Sequence, residues 1–175
     1  MRSTVRLPLA LVLALLVAGP VAAADTVTFN VLLTINKACT ITAAAATNVN
    51  FGNADSSSVT PLNAQGTVTA QCSVTTPYTI ALNAGLNPGT AGDVTTRRMR
   101  NTDSGVTANN FVGYQLYQDS GHNTVWGAST GTNTVAGTGT GANQVYQVYG
   151  QVANPSVNNA APGSYQDTIT ATITY

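Results

Sequence analysis

The residues that could do acid–base, thiol or metal chemistry are few: one histidine, two cysteines and six acids, all of them aspartate, in 175 residues. His122 stands beside Asp119 and Ser120, which brings a general base to mind. Neighbours in sequence rarely converge in triad geometry, so a surface turn is the expectation. Asp119 and Asp167 make a poor glycosidase pair in a chain without glutamate; Asp167 is read instead as the cap of a turn before the last strand. Cys39 and Cys72 lack C-x-x-C spacing, and a single histidine cannot complete a zinc set. Arg97, Arg98 and Arg100 could meet an anionic surface or a glycan. A solvated edge strand, whose charges block stray pairing, is the plainer expectation. Trp126 and the tyrosines could stack on sugars, but core and interface packing is the commoner use of such rings. The reading is therefore of a protein with no catalytic residue, no cofactor and no metal, and not of an enzyme.

The N-terminus decides the compartment. Arg2 and Arg6 precede an apolar run from Leu7 to Val17, then Gly19-Pro20 and the small residues Ala22, Ala23 and Ala24. That order is a secretory signal peptide, predicted over 1–24, and the run is short for a membrane span. In an exported chain the two cysteines are expected to bridge. Closing a loop across the 33 positions between Cys39 and Cys72 is worth roughly 3–4 kcal/mol in the loop-entropy model. The chain after Ala24 keeps only Lys37, Arg97, Arg98 and Arg100 against six aspartates, a net charge of −2. So little charge gives little long-range steering and argues against nucleic acid or a charged substrate. No membrane insertion is expected. A surface of Thr, Asn, Ser, Gly and Gln suits close protein–protein packing.

What must position these residues is a set of strands. About 150 residues rich in Thr and Val, punctuated by Gly, Asn and Pro, fit one all-β domain. Thr26 to Asn36 places Val27, Phe29, Val31, Leu33 and Ile35 on one face, with Leu32 the exception on the polar face. Cys39–Thr42, Asn48–Gly52, Gly66–Ser73, Tyr78–Leu82, Arg97–Asn101, Phe111–Gln118, Gln144–Val152 and Tyr165–Tyr175 read as further strands. Val68, Ala70 and Cys72 share one face of theirs. Asn53–Asn63 and Ala128–Asn143 read as loops, and Ala153–Gly163 as a turn region. The last strand should turn Ile169, Ala171, Ile173 and Tyr175 inward. Frequent turns without an amphipathic helix predict an antiparallel sandwich. Pattern alone leaves Thr26–Asn36 open: it is an ordinary first strand of its own sandwich, or a strand given to another domain.

The ordered pieces TFNV (Thr28–Val31), KACTI (Lys37–Ile41), NFG, GTVTAQCS, PYTIALNAG, RRM, VGYQLYQD, WG, VYGQV and PGSYQDTITATITY (Pro162–Tyr175) resemble the spore coat protein U family, which includes subunits of archaic chaperone–usher pili. The resemblance spans nearly all of the chain after the leader. It implies an incomplete immunoglobulin-like sandwich, completed by a donor strand from a neighbouring subunit. It implies a homopolymer formed by strand exchange, with a periplasmic chaperone and an outer-membrane usher as partners. The expected division is then a signal peptide over 1–24, a donor strand over 25–37 and a pilin domain over 38–175. Val27, Phe29, Val31, Leu33 and Ile35 would be the donor residues. Ile169, Ala171, Ile173 and Tyr175 would line one side of the acceptor groove, with the Cys39–Phe51 region as the other wall. The implied function is a shaft subunit of an extracellular pilus, exported through the periplasm and supporting adhesion and biofilm formation. A non-polymerising secreted coat or matrix protein of the same family, or a secreted carbohydrate-binding module, are the alternatives.

Overall fold

A computed structural model describes residues 24–43, 48–55, 57–58, 60–153 and 159–175. The leader and the centre of the Ala153–Gly163 turn lie outside the described residues. The chain divides into two units, Met1–Thr34 and Ile35–Tyr175. In the first, residues 24–34 carry no helix or strand. Val27, Phe29, Val31, Leu32 and Leu33 are 83–88% exposed. The alternation expected to make this segment a strand is present, but residues 24–34 form no ladder.

The second unit is all-β and antiparallel. Its strands are β1 (Cys39–Thr42), β2 (Leu62–Cys72), β3 (Pro77–Leu82), β4 (Arg98–Asn101), β5 (Phe111–Gly113), β6 (Gln115–Tyr117), β7 (Val135–Thr138), β8 (Gln144–Val152), β9 (Tyr165–Gln166) and β10 (Ala171–Thr174). They form a four-stranded sheet in the order β1-β2-β8-β6 and two three-stranded sheets, β10-β3-β7 and β5-β4-β9. The β2–β8 ladder is the spine, running from Leu62 opposite Val152 to Ala70 opposite Gln144. Period-2 alternation turns Val68, Ala70 and Cys72 of β2 and Val148 and Val152 of β8 into the core, as expected of one buried sheet face. Across from them lie Tyr78, Ile80 and Leu82 of β3, also buried.

Cys39 and Cys72 are directly opposite in the β1–β2 ladder and are bridged, with Cα atoms 4.1 Å apart. Four residue pairs make a short edge strand, and the crosslink ties its first pair.

The structure corrects several strand assignments, for physical reasons. β2 begins at Leu62, inside the segment read as loop, because β8 is long enough to pair with it. Val135–Thr138, inside the Gly/Thr-rich loop, pairs with β3 from Ile80 to Pro77. Asn48–Gly52 is not a strand; Val49 and Phe51 nevertheless pack on the core. Phe111–Gln118 breaks at Tyr114, whose N–H donates to the Arg97 carbonyl at 3.1 Å as the chain passes from one sheet to another. Tyr165–Tyr175 breaks likewise. β9 pairs with β4, β10 pairs with β3, and between them Asn83 holds Thr170 through N–H to carbonyl (3.1 Å) and amide oxygen to N–H (2.9 Å).

The arginine cluster is not a solvated edge. β4 is the central strand of its sheet, and Arg97 is 1% exposed. Its guanidinium donates to the carbonyls of Leu82 (3.0 Å), Asn83 (2.7 Å) and Trp126 (2.8 Å) and to the Gln115 side chain (2.7 Å). Burial pulls its pKa below the usual arginine value, while Tyr114 and Asp167 pull the other way. Arg98 stacks over the Phe111 ring at 4.2 Å and donates to the carbonyls of Asn87 and Pro88. Arg100 alone is exposed. Trp126 is a core residue, 1% exposed, with its indole N–H on the Ile80 carbonyl at 2.9 Å. His122 sits edge-on to Tyr117 in the expected turn.

Candidate functional site

The two main sheets each end in a short strand, β1 on one side and β10 on the other. Between these edges lies an apolar groove of about 670 Å³. Ile41 of β1 forms one wall, with Val49 and Phe51 beyond it. Ile169 and Ala171 form the opposite wall. Val68, Leu82 and Val148 floor it. Edge strands present unpaired N–H and C=O groups, so a groove between two of them is suited to an added strand.

Of the side chains expected to turn inward from the C-terminal segment, Ile169 and Ala171 line this groove. Ile173 is half-buried against the core opposite Ile80 and lies beyond the groove lining. Tyr175 is 57% exposed, because the β10 ladder stops at Thr174, opposite Thr79. Val27, Phe29, Val31, Leu33 and Ile35 share one property: each is at least 82% exposed. Leu32, out of phase with them, is 87% exposed.

The groove has one polar station. Tyr114 O–H donates to Asp167 Oδ2 at 2.7 Å, and Asp167 Oδ1 accepts from Leu86 N–H at 2.9 Å and Asn87 Nδ2 at 3.2 Å. Burial, and then the hydrogen bond to Asp167, push the Tyr114 phenol well above its ordinary pKa, so it remains a donor. Asp167 therefore does not cap a turn; it ties the last segment to the β3–β4 connection. Gly85 makes this approach possible: its φ is +82°, and a Cβ there would collide with Asp167 Oδ2.

Beyond Phe51 a second trough of about 880 Å³ continues past Leu62, Val112 and Val152. Val49, Phe51, Met99 and Tyr165 border both spaces. Phe51 is placed by the absence of a side chain at Gly150, which faces inward between Val148 and Val152. A Cβ at Gly150 would meet Val49 Cγ1 at 2.3 Å and Phe51 Cζ at 2.9 Å. Sequence reading named Phe51 as groove wall and missed Gly150. The signal was available, since a glycine at an inward strand position marks a close approach by another segment. Leu82 and Tyr114 were missed as groove residues because they come from distant strands that only the sheet order brings together.

Among the described residues no three His, Cys, Asp or Glu side chains cluster as a metal site. No described helix is long and apolar enough to cross a membrane. The geometry is that of an apolar groove between two sheet edges.

The Spore Coat Protein U domain model matches residues 25–172. The chain is 36% identical over 162 residues to Protein U of Myxococcus xanthus, covering 88% of this chain and 87% of that protein. It is also similar to a chain in the crystal structure of the CsuC–CsuE chaperone–tip adhesion subunit pre-assembly complex of the archaic chaperone–usher Csu pili of Acinetobacter baumannii. That match has a TM-score of 0.56 and 26% identity, covering 81% of this chain and 41% of the other.

Proposed function

The chain belongs to the Spore Coat Protein U domain family, and from that premise we propose that it is a structural subunit of a chaperone–usher pilus, polymerising by donor-strand exchange. One observation carries the reading. A single sequence holds both an apolar groove between two sheet edges and an alternating segment whose apolar side chains are at least 82% exposed. Each is the complement of the other. Eleven residues at about 3.4 Å each extend about 37 Å, the scale of a small domain. Burying five apolar side chains at about 1.5–3 kcal/mol apiece gives roughly 7–15 kcal/mol as an upper bound. That is the scale a lasting joint needs.

On this reading the segment 25–37 of one subunit enters the groove of the next. Val27, Phe29, Val31, Leu33 and Ile35 face inward there, against Ile41 and Val68 on one sheet and Leu82, Ile169 and Ala171 on the other. A periplasmic chaperone lends a strand first and an outer-membrane usher exchanges it. The similarity to a structure of a chaperone–subunit pre-assembly complex supports the chaperone as a partner. The chain is exported under the 1–24 leader and ends in an extracellular shaft supporting adhesion and biofilm formation. It is a structural protein and not an enzyme. The family name favours a second reading, a coat protein whose own first strand stays with it.

The test uses the full chain after leader removal, with and without Phe29→Asp. The unaltered chain should form multimers that heat dissociates on a gel and fibres in electron micrographs. The variant should form neither, yet bind a synthetic peptide of residues 26–36. Multimers that survive Phe29→Asp, or a variant that refuses the peptide, would sink the proposal.

A further inference from the structure

We infer that Asn48–Gly52 is an internal gate on the groove, with Val49 and Phe51 seated above Gly150 in the unpaired subunit and leaving that seat when a donor strand enters. The inference rests on the strand-acceptor reading above and deepens it.

Three observations carry it. First, Val49 and Phe51, with Met99 and Tyr165, line both the 670 Å³ groove and the 880 Å³ trough beyond, so they stand at the boundary of two spaces that joined would make one channel. A donor with an apolar residue at every second position needs that channel unbroken. Second, the seat is specific. The inward face of β8 runs Val148, Gly150, Val152, and only the glycine leaves room for Val49 Cγ1 and Phe51 Cζ. The Phe51 ring also lies 6.4 Å from the Tyr114 ring, tilted at 59°, which places it over the polar station of the groove. Third, the segment belongs to no ladder. The polar contact formed within Asn48–Gly52 is local, Gly52 N–H to Asn50 Oδ1 at 2.9 Å. Gly52 itself turns the chain at φ +70°, with open space where a Cβ would stand. The strands on either side are fixed by ladders; among the described residues this stretch meets the core through Val49 and Phe51.

A segment outside the ladders can leave its seat without breaking ladder hydrogen bonds, and the donor replaces the apolar contacts it loses. The gate therefore shields the apolar floor until a competent strand arrives. A poor strand, unable to repay the displaced contacts, is excluded. Apparent affinity falls by the fraction of time the gate is open, so a gate open one-tenth of the time weakens binding about tenfold.

The experiment uses the full chain after leader removal carrying Phe29→Asp, which cannot give its own strand, and a fluorescent peptide of residues 26–36 as the probe. Adding Phe51→Ala should tighten peptide binding about tenfold, mainly through faster association. A second variant, Phe51→Trp, reads the gate directly. Its emission should shift to the red on peptide addition as the ring leaves its seat, against the constant signal of buried Trp126. Unchanged or weaker binding by Phe51→Ala makes Phe51 a fixed wall and overturns the gate alone. An unshifted or blue-shifted Phe51→Trp spectrum overturns it too. No binding by any variant removes the strand-acceptor reading and the gate with it.

Discussion

Thr26–Asn36 and Tyr165–Tyr175 are each eleven residues in which apolar side chains alternate with Thr, Asn or Gln, save for Leu32 on the polar face of the first and Asp167 on the apolar face of the second. They end in opposite circumstances. The C-terminal segment supplies β9 and β10, and its Ile169, Ala171 and Ile173 are half-buried on the core. The N-terminal segment has no ladder, and its apolar side chains are at least 82% exposed. Alternation states that one face wants cover. It does not state whose cover that is. β10 has an answer within the chain because β3 offers both a backbone edge and a buried face fixed by Ile80 and Leu82.

The sharpest way to break this contrast is to place the same charge in both segments. Ile173→Asp should destabilise the subunit by more than about 3 kcal/mol, through lost apolar burial and a charge set beside Ile80. Against a total stability of about 5–15 kcal/mol that is a large fraction, and denaturant unfolding measures it. Phe29→Asp should leave the unfolding midpoint of the isolated subunit unchanged. Equal destabilisation by the two substitutions would mean that the N-terminal strand belongs to its own sandwich.

How far the sequence could be read follows from the same contrast. Alternation and turn residues were enough for β1, β3, β8 and the buried faces of β2, because each is a single strand in a single sheet. Reading failed where one segment serves two sheets. Phe111–Gln118 and Tyr165–Tyr175 look unbroken, yet Tyr114 and Thr170 sit where the backbone changes partner. It failed again at Val135–Thr138, whose Gly and Thr give a weak strand signal that β3 overrides. Arg97 was misread because charge usually means solvent. Three carbonyl groups and an amide at a sheet junction gave it somewhere to be buried. In the groove, Ile169 and Ala171 could be named from the alternation of their own segment, which also named Ile173 and Tyr175 outside the lining; Leu82, Tyr114 and Val148 could not be named, since they meet only through sheet order.

Arg97 offers the next test, because it holds together the scaffold on which β10 rests. Arg97→Leu should cost about 3 kcal/mol. It leaves the carbonyls of Leu82, Asn83 and Trp126 without their donor, at the end of the strand that β10 pairs with. Peptide capture should weaken in proportion to the unfolded fraction and recover at lower temperature or denaturant. An unchanged midpoint would mean that the junction tolerates water in place of the guanidinium.

The smallest effect is expected far from both segments, at Asp119 in the turn between β6 and the Tyr117–Val125 bridge. Backbone N–H groups of Thr124 and Asn123 donate to its carboxylate, at 2.8 Å and 3.2 Å, and hold its pKa below the usual value. A carboxyl with a depressed native pKa contributes stability that is fully present above its unfolded value, about 3.9. That contribution disappears as pH falls through the depressed native value, because the protonated group loses part of its acceptor strength. Asp119→Asn should therefore flatten the acid limb of the stability–pH curve slightly and change nothing near neutrality beyond a small constant offset. Multimer formation and peptide capture should be untouched, since neither segment meets this turn. A strand-exchange defect in Asp119→Asn would show that the turn, and not only the groove, takes part in joining subunits.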